Sequence, residues 1–180
     1  KPRLNELSAR IDTLWVYMAG ALVMLMQAGF LLLEVGFSRM KNAGTVAAKV
    51  IANLSIAAIA YWAVGFALAF GGNNGETGWL AGNAGFFLQH TSEIDLPALS
   101  FSDATVGSKF FFQFAFAAVS LAIVWGTTLE RIKFGAYLIY AVIFAAVIYP
   151  LASHWIFGGG SLQANFWMQN FAGSTVIHMV

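Results

Sequence analysis

The stretch Leu14–Ser38 reads LWVYMAGALVMLMQAGFLLLEVGFS, and Glu34 is its one charged residue. About 20 consecutive apolar residues are enough for an α-helix to cross the hydrocarbon core of a bilayer. The apolar residues of this stretch also lie on all sides of a helix, unlike those of a half-buried helix in a soluble protein. The stretch therefore predicts a membrane-spanning helix.

Three further stretches have the same character. The stretch 45–70 contains one charge, Lys49, near its start, while 110–129 and 134–151 contain none. We therefore predict an all-α, polytopic transmembrane helix bundle that occupies residues 1–180 as one unit. Its helices are expected at about 13–38, 45–70, 109–129 and 134–152, with a fifth that begins near residue 171. We expect Asp12 to cap the first helix and Pro150 to break or kink the fourth.

The composition supports a lipid environment. Apolar residues make up 59% of the chain and charged residues 9%, whereas about 25% of residues are charged in an ordinary soluble domain. The absence of cysteine excludes disulfides and thiolate metal sites, and a net charge of +1 does not indicate nucleic-acid binding. The chain begins with Lys1 rather than Met, so we expect a removed leader or a trimmed chain.

Charges in the links predict the orientation. The two short links between predicted helices carry four basic residues: Arg39, Lys41, Arg131 and Lys133. The long link between the second and third helices carries four acidic residues: Glu76, Glu93, Asp95 and Asp103. Short basic links remain in the cytoplasm by the positive-inside rule. We therefore expect a plasma-membrane or inner-membrane protein with its N-terminus outside.

Polar residues within apolar helices indicate either cross-helix bonding or function. We expect Glu34 to snorkel or to pair with Arg39, Lys41 or another helix. Gln27 and Gln113 are expected to bond across helices, although Gln113 lies among aromatic residues typical of a pore.

Two histidines leave alternatives open. His178 follows a run of small residues and either bonds a neighbour or lines a path, since its two nitrogens can accept and donate protons. His154 and Trp155 precede Gly158–Gly160 and belong either to a vestibule or to a turn between helices. No phosphate loop, dinucleotide fingerprint or HExxH pair is present, so we expect no enzyme, cofactor or metal site.

Several motifs together resemble one family. MLMQAGF at 24–30, LEVG at 33–36 and RMKN at 39–42 are similar to the first helix and first cytoplasmic turn of the Amt/Mep/Rh ammonium transporters. ERIKF at 130–134 resembles the turn after their third helix, and FAGSTVIH at 171–178 resembles the start of their fifth. The resemblance implies the first five of eleven helices, a homotrimer and one narrow pore per subunit.

The resemblance also implies site residues. Phe116 matches one of two stacked phenylalanines that close the outer mouth of the pore, and Phe112, Trp155 and Phe157 match the outer ammonium-recruitment site. His178 matches the first of two pore histidines. The remaining candidate pore residues are Gln113 and Phe30. Phe157 stands where bacterial transporters usually have Trp, a stronger cation–π partner than Phe.

Asn170 is the larger departure from the family, because the usual residue there is an Asp that supports the recruitment site. The resemblance leaves two hypotheses, and Asn170 and Phe157 point to the second. In the first, ammonium binds outside and crosses a hydrophobic pore as ammonia. In the second, the protein is an ammonium sensor coupled to a signalling domain. Besides ammonium and the lipid bilayer, the implied partners are a cytosolic signalling domain or a nitrogen-regulatory protein, and no nucleic acid. A helix bundle of unrelated function is the third alternative.

Overall fold

The computed structural model describes residues 2–73, 76–89, 92 and 95–180, so Glu93 of the acidic link lies outside the described residues. The described chain is predominantly helical, which confirms the predicted all-α fold. The helices are α1 Pro2–Phe37, α2 Ala43–Ala60, α3 Phe66–Phe70, α4 Val106–Thr127, α5 Phe134–Ile143, α6 Tyr149–Phe157, α7 Ser161–Phe166 and α8 Ser174–His178. Two π-helical turns, Tyr61–Gly65 and Phe144–Ile148, join α2 to α3 and α5 to α6 into continuous helices.

Among the described residues, four helical stretches are long and apolar enough to cross a membrane: Arg3–Phe37, Met40–Phe70, Val106–Thr127 and Phe134–Phe166. They correspond to the four complete helices predicted from the sequence. α4 lies centrally, in contact with α1, α2 and the end of the chain at α8. In the most apolar 18-residue segment of each helix, half of the residues of α4 are buried, compared with 11% of those of α1. α1 therefore presents most of its apolar surface to the outside of the bundle.

α1 begins at Pro2, about ten residues before the predicted start. The prediction of an Asp12 cap was wrong, because Asp12 lies inside a continuous helix. Residues before the apolar run extend the helix with polar contacts, among them a hydrogen-bonded ion pair between Arg10 Nη2 and Glu6 Oε1 at 2.6 Å. Such pairs at a spacing of four residues support a helix without any apolar pattern.

The fourth spanning helix continues through Pro150 to Phe157 instead of ending there. Proline removes a backbone donor and crowds the carbonyl four residues earlier. The π-helical turn immediately before Pro150 widens the helix at that point, so the chain passes the proline without breaking. The sequence predicted that Pro150 would break or kink the helix. In the structure the irregularity is the π-helical turn before Pro150, and the helix continues beyond it.

Gly65 brings the second and fourth spanning helices into close contact. A Cβ atom at Gly65 would lie 2.6 Å from the carbonyl oxygen of Ala145 and 3.1 Å from Pro150 Cγ. Both distances are shorter than ordinary van der Waals contact. The two π-helical turns therefore meet at a position where only glycine fits.

We expect Gly65→Ala to destabilise the bundle by about 1–3 kcal/mol, because overpacking forces the backbone apart. The matched control is Gly44→Ala on the same spanning helix, where a Cβ would meet nothing within 4 Å. Alanine favours helix by about 1 kcal/mol over glycine, so Gly44→Ala should be neutral or stabilising. Thermal unfolding in detergent measures both, and equal melting temperatures would contradict the close packing.

The end of the bundle that carries Arg39, Lys41, Arg131 and Lys133 is called the basic end. Here the Arg39 side chain and backbone N–H both bond Glu130, at 2.7 and 2.8 Å. Lys49 is buried; its Nζ donates to the Ile132 carbonyl at 3.2 Å and lies 4.0 Å from the centroid of the Trp125 ring. These contacts tie both short links to the bundle.

Glu34 neither snorkels nor pairs with Arg39, contrary to two of the expected alternatives. It is 2% exposed, and Arg39 is engaged by Glu130. Glu34 faces Trp125 on the neighbouring α4, yet neither its carboxylate oxygens nor the indole N–H makes a hydrogen bond of regular geometry. The carboxyl group is thus enclosed by the bundle itself.

We expect Glu130→Gln to lower the melting temperature at neutral pH. Hydrogen bonds from Asn42 and from the Arg39 backbone lower the pKa of Glu130 from its ordinary 4.5 to about 2. A lowered pKa contributes stability above pH 4.5 that is lost as the pH falls through 2. The difference between parent and variant should therefore shrink over that window. Glu6→Gln, in an exposed pair with Arg10, should have almost no effect; a pH-independent difference for Glu130→Gln would contradict the prediction.

The opposite end, called the loop end, carries the long link. Its described part contains a short antiparallel pair, Gly72–Asn73 with Glu76–Thr77, and a 3-10 turn at Pro97–Leu99. Gly82 N–H donates to the Leu68 carbonyl at 2.7 Å, so the link folds back onto the end of α3.

Candidate functional site

A cavity of about 330 Å³ opens at the loop end. Four of the candidate residues predicted from the sequence line it together: Phe112, Gln113 and Phe116 of α4, and Phe157 of α6. The Phe112 and Phe116 rings contact edge to face, with centroids 5.0 Å apart and planes at 74°. The rest of the wall is Phe70, Ala98, Leu99, Phe101, Tyr149, Gln163, Phe171, Ala172, Gly173 and Ile177. These residues define the aromatic cavity.

The wall of the aromatic cavity suits a small cation. None of its described residues carries a charge, but aromatic faces attract cations by about 0.5–2 kcal/mol each, depending on desolvation. The amides of Gln113 and Gln163 add oxygen acceptors and N–H donors. A water-sized solute occupies roughly 30 Å³, so the cavity has room for a small cation with part of its hydration shell.

Asn170 lies beside this cavity rather than in its wall. It lines an adjoining cavity of about 440 Å³ that shares Phe157, Gln163 and Phe171 with the first. Its Oδ1 accepts from Ser174 Oγ at 3.4 Å, while its Nδ2 is buried without a hydrogen-bond partner. An aspartate would carry an oxygen where this N–H₂ group is unsatisfied.

Trp155 is on α6 but does not line the aromatic cavity. Its Nε1 donates to the carbonyl of Leu80 in the long link at 2.9 Å. The indole therefore attaches the link to the end of the fourth spanning helix. Its predicted contact with ammonium stays a prediction.

The two remaining pore candidates also lie outside the aromatic cavity. His178 is the exposed last residue of α8, next to the cavity residue Ile177. Phe30 is half-buried on α1 and packs against the central core. A role for either residue in a pore stays a prediction.

Sequence reasoning did not select Phe70, Phe101, Tyr149 or Phe171 for the cavity wall. Phe171 is the first residue of the FAGSTVIH motif and directly follows Asn170, and this position could have indicated it as a residue of the cavity wall. Phe101 comes from the irregular link, where no periodicity assigns a direction to a side chain. Tyr149 follows the π-helical turn, which shifts its direction relative to a regular helix.

His154 lies in the last turn of α6 and does not line the aromatic cavity, so neither the expected vestibule nor the expected turn between helices describes its position. It is fully buried. Its Nδ1 lies 2.9 Å from the Ala69 carbonyl oxygen and its Nε2 lies 2.6 Å from that of Gly78. Gly158–Gly160 wrap around the imidazole before α7 begins.

Four membrane-length helices in the described part of the chain define a multi-pass membrane protein, and an uncharged aromatic cavity lies at one end of its bundle. Residues 14–180 match the Ammonium Transporter Family, and the chain belongs to this family. It is 39% identical over 179 residues to the ammonium transporter Amt2 of Archaeoglobus fulgidus, with 93% of this chain and 35% of that protein covered. A putative ammonium transporter of Synechocystis sp. is 36% identical over 180 residues, covering 94% of this chain and 31% of that protein.

Solved structures agree with this assignment. A sensor Amt protein superposes with a TM-score of 0.81 at 32% identity, covering 97% of this chain and 42% of that one. Mep2 of Candida albicans superposes with a TM-score of 0.79 at 26% identity, covering 97% and 37%. The chain therefore spans about a third of the length of these curated relatives. The family predicted from the sequence motifs is confirmed.

Proposed function

We propose that the full-length protein binds ammonium in the aromatic cavity at its outer face and conducts it across the membrane. The observation that carries this proposal is the meeting of Phe112, Phe116, Gln113 and Phe157 around one uncharged cavity. Aromatic faces hold the cation while little water enters. Because a charge in a dry apolar pore is costly, the ion releases a proton and crosses as ammonia, with His178 as the predicted pore histidine.

Sensing is the second candidate function, and Asn170 favours it. Without a carboxylate beside the cavity, the cation gains less on binding and less support for the loss of its proton. The similarity to a sensor Amt protein at 32% identity is consistent with this alternative. A receptor of this kind would bind ammonium and pass the signal to a cytosolic signalling domain.

We place the basic end in the cytoplasm and the loop end outside, as the positive-inside rule requires. The same arrangement makes the basic end the contact surface for a cytosolic domain or a nitrogen-regulatory partner. The open apolar face of α1, where Leu22, Leu25 and Leu32 are exposed, contacts lipid or a neighbouring subunit of a homotrimer.

The test uses full-length protein in liposomes and measures ammonium-driven current beside equilibrium binding of methylammonium. Robust current shows that the missing charge is not required and removes the sensing-only alternative. Binding without current makes the protein a receptor. Absence of both binding and current overturns the ammonium proposal altogether.

A further inference from the structure

The cavity of about 440 Å³ beside the aromatic cavity is called the second cavity. Three aromatic side chains line it: Phe157 of α6, Trp167 at the end of α7, and Phe171. Phe157 and Phe171 also line the aromatic cavity, whereas Trp167 is absent from that wall. None of the described residues around the second cavity carries a charge. The second cavity therefore has an aromatic face of its own, which Trp167 supplies.

Trp167 has a backbone conformation that favours glycine. Its φ and ψ angles are 51° and 31°, in the left-handed region. The backbone N–H groups of Trp167 and Met168 both donate to the Leu162 carbonyl, that of Met168 at 3.2 Å. Turns of this kind end many helices, and their left-handed residue is usually glycine because a Cβ is strained there. For the backbone, tryptophan is therefore a less favourable residue than glycine at this position.

Burial of the Trp167 ring does not offset this strain. Trp167 is 83% exposed, so most of its indole surface contacts no other part of the described chain. The free-energy gain that a buried aromatic side chain brings to a fold is therefore largely missing. Residues held in strained backbone conformations cluster at ligand-binding sites. Strain and exposure together indicate that the partner of this ring is a ligand rather than the core.

The remaining walls of the second cavity are held in place by the chain itself. Gln163 Oε1 accepts from the Gly159 N–H at 2.8 Å, and Asn170 Oδ1 accepts from Ser174 Oγ at 3.4 Å. Phe157 packs against the hydrophobic core. A ligand would therefore enter a cavity that is already formed, and binding would cost little ordering of side chains.

The chemistry of the wall suits a cation that needs no hydrogen-bond acceptor. Clusters of aromatic residues recognise quaternary ammonium groups by cation–π attraction, and Trp is the strongest aromatic partner. At roughly 30 Å³ for each water-sized group, the nitrogen and four carbons of such an ion need about 150 Å³. The second cavity, at about 440 Å³, has room for this group and a short substituent.

We propose that the second cavity binds small quaternary ammonium compounds of the choline type, with Trp167 as its main cation–π contact. This site goes beyond the proposed ammonium function and does not depend on it, because neither Phe112 nor Phe116 lines the second cavity. A free quaternary amine and the trimethylammonium headgroup of a lipid share the chemistry that the cavity recognises.

The first experiment measures equilibrium binding of labelled choline to full-length protein in phosphatidylglycerol liposomes, which contain no quaternary headgroup. The competitor is 3,3-dimethylbutan-1-ol, which has the shape of choline with carbon in place of the charged nitrogen. We expect it to displace choline at least tenfold more weakly than unlabelled choline does, because an uncharged group gains no cation–π attraction. Equal competition, or no binding of choline at millimolar concentration, would overturn the proposal.

The second experiment removes the ring. We expect Trp167→Leu to weaken choline binding by about tenfold, the loss of one strong cation–π contact. Trp79→Leu is the matched control, because Trp79 is a 69% exposed tryptophan of the long link that lines neither cavity. Trp79→Leu should bind choline like the parent. Unchanged affinity in Trp167→Leu, or an equal loss in both variants, would overturn the role of Trp167.

Trp167→Gly separates a ligand contact from a structural role. Glycine adopts the left-handed conformation without strain, so this variant should unfold at a higher temperature than the parent while it loses choline affinity as Trp167→Leu does. A lower melting temperature in lipid would mean that the indole stabilises the fold or anchors it in the bilayer, and would overturn the proposal.

Two further comparisons locate the site and its natural occupant. The double variant Phe112→Leu, Phe116→Leu should bind choline like the parent, and a loss there would place choline in the aromatic cavity and overturn a second site. In phosphatidylcholine liposomes, weaker binding of free choline would identify the lipid headgroup as the occupant, and unchanged binding would identify a soluble compound. Choline binding by a protein that binds no methylammonium would end the ammonium proposal and support this one.

Discussion

Asn170→Asp is expected to tighten methylammonium binding by roughly ten- to hundredfold. Two unit charges several ångströms apart interact by about 1–3 kcal/mol at the effective dielectric constant of a partly buried site, and 1.4 kcal/mol is tenfold in affinity. Asn170 adjoins the aromatic cavity through the shared residues Phe157 and Phe171. Its buried Nδ2 lacks a partner, so the substitution breaks no hydrogen bond of that atom while it adds the charge.

The matched control is Asn165→Asp, which makes the same change of charge on the exposed side of α7. Screening by solvent and salt leaves a charge on this exposed side chain with less effect. Equal tightening in both variants would mean that general attraction, and not the site, responds to the charge. In liposomes, a gain of current in Asn170→Asp over a silent parent would identify the missing carboxylate as the difference between receptor and transporter.

The double variant Phe112→Leu, Phe116→Leu is expected to weaken methylammonium binding by about tenfold or more. Leucine keeps the apolar character of the wall but removes two aromatic faces, each of which contributes about 0.5–2 kcal/mol to cation binding. The rings contact each other with centroids 5.0 Å apart, so each single variant should lose more than half of the effect of the double variant if the two rings support each other.

Phe37→Leu is the control for this pair, because Phe37 is an exposed ring at the basic end of α1, whereas the cavity lies at the loop end. The double variant and Phe37→Leu should unfold at similar temperatures. Unchanged affinity in the double variant would contradict a cation site in the aromatic cavity, whatever the current measurements show.

The class of fold was predictable because lipid imposes a simple pattern. Four uncharged or singly charged stretches of membrane length can form only helices that satisfy their own backbone, and their positions in the sequence and in the structure agree closely. The first and last residues of the helices were less predictable. α1 starts at Pro2 because polar contacts such as Arg10 with Glu6 extend it, and the fourth helix continues past Pro150 because a π-helical turn precedes the proline.

The candidate site was predictable where a motif and a helix coincide. Phe116 follows Phe112 and Gln113 by about one turn of α4, so a regular helix places the three side chains on neighbouring faces. Phe157 joins them only through tertiary packing, and the resemblance to the family supplied it. The contacts of His154 with α3 and the long link, and of Trp155 with the long link, join residues about 75–85 positions apart, which no local pattern encodes.

The two π-helical turns, which lie against each other at Gly65 and Ala145, also constrain how the sequence can change in length. Each turn amounts to one residue added to a regular helix, and an α-helix advances by about 100° and 1.5 Å per residue. Deleting one residue from a single turn would rotate the loop-end half of that helix by this angle and turn Phe157 or Phe70 away from the cavity. Insertions and deletions at the two turns should therefore be tolerated only as a coordinated pair, so the loop-end halves of these helices keep one shared register despite lying about 80 residues apart in the chain.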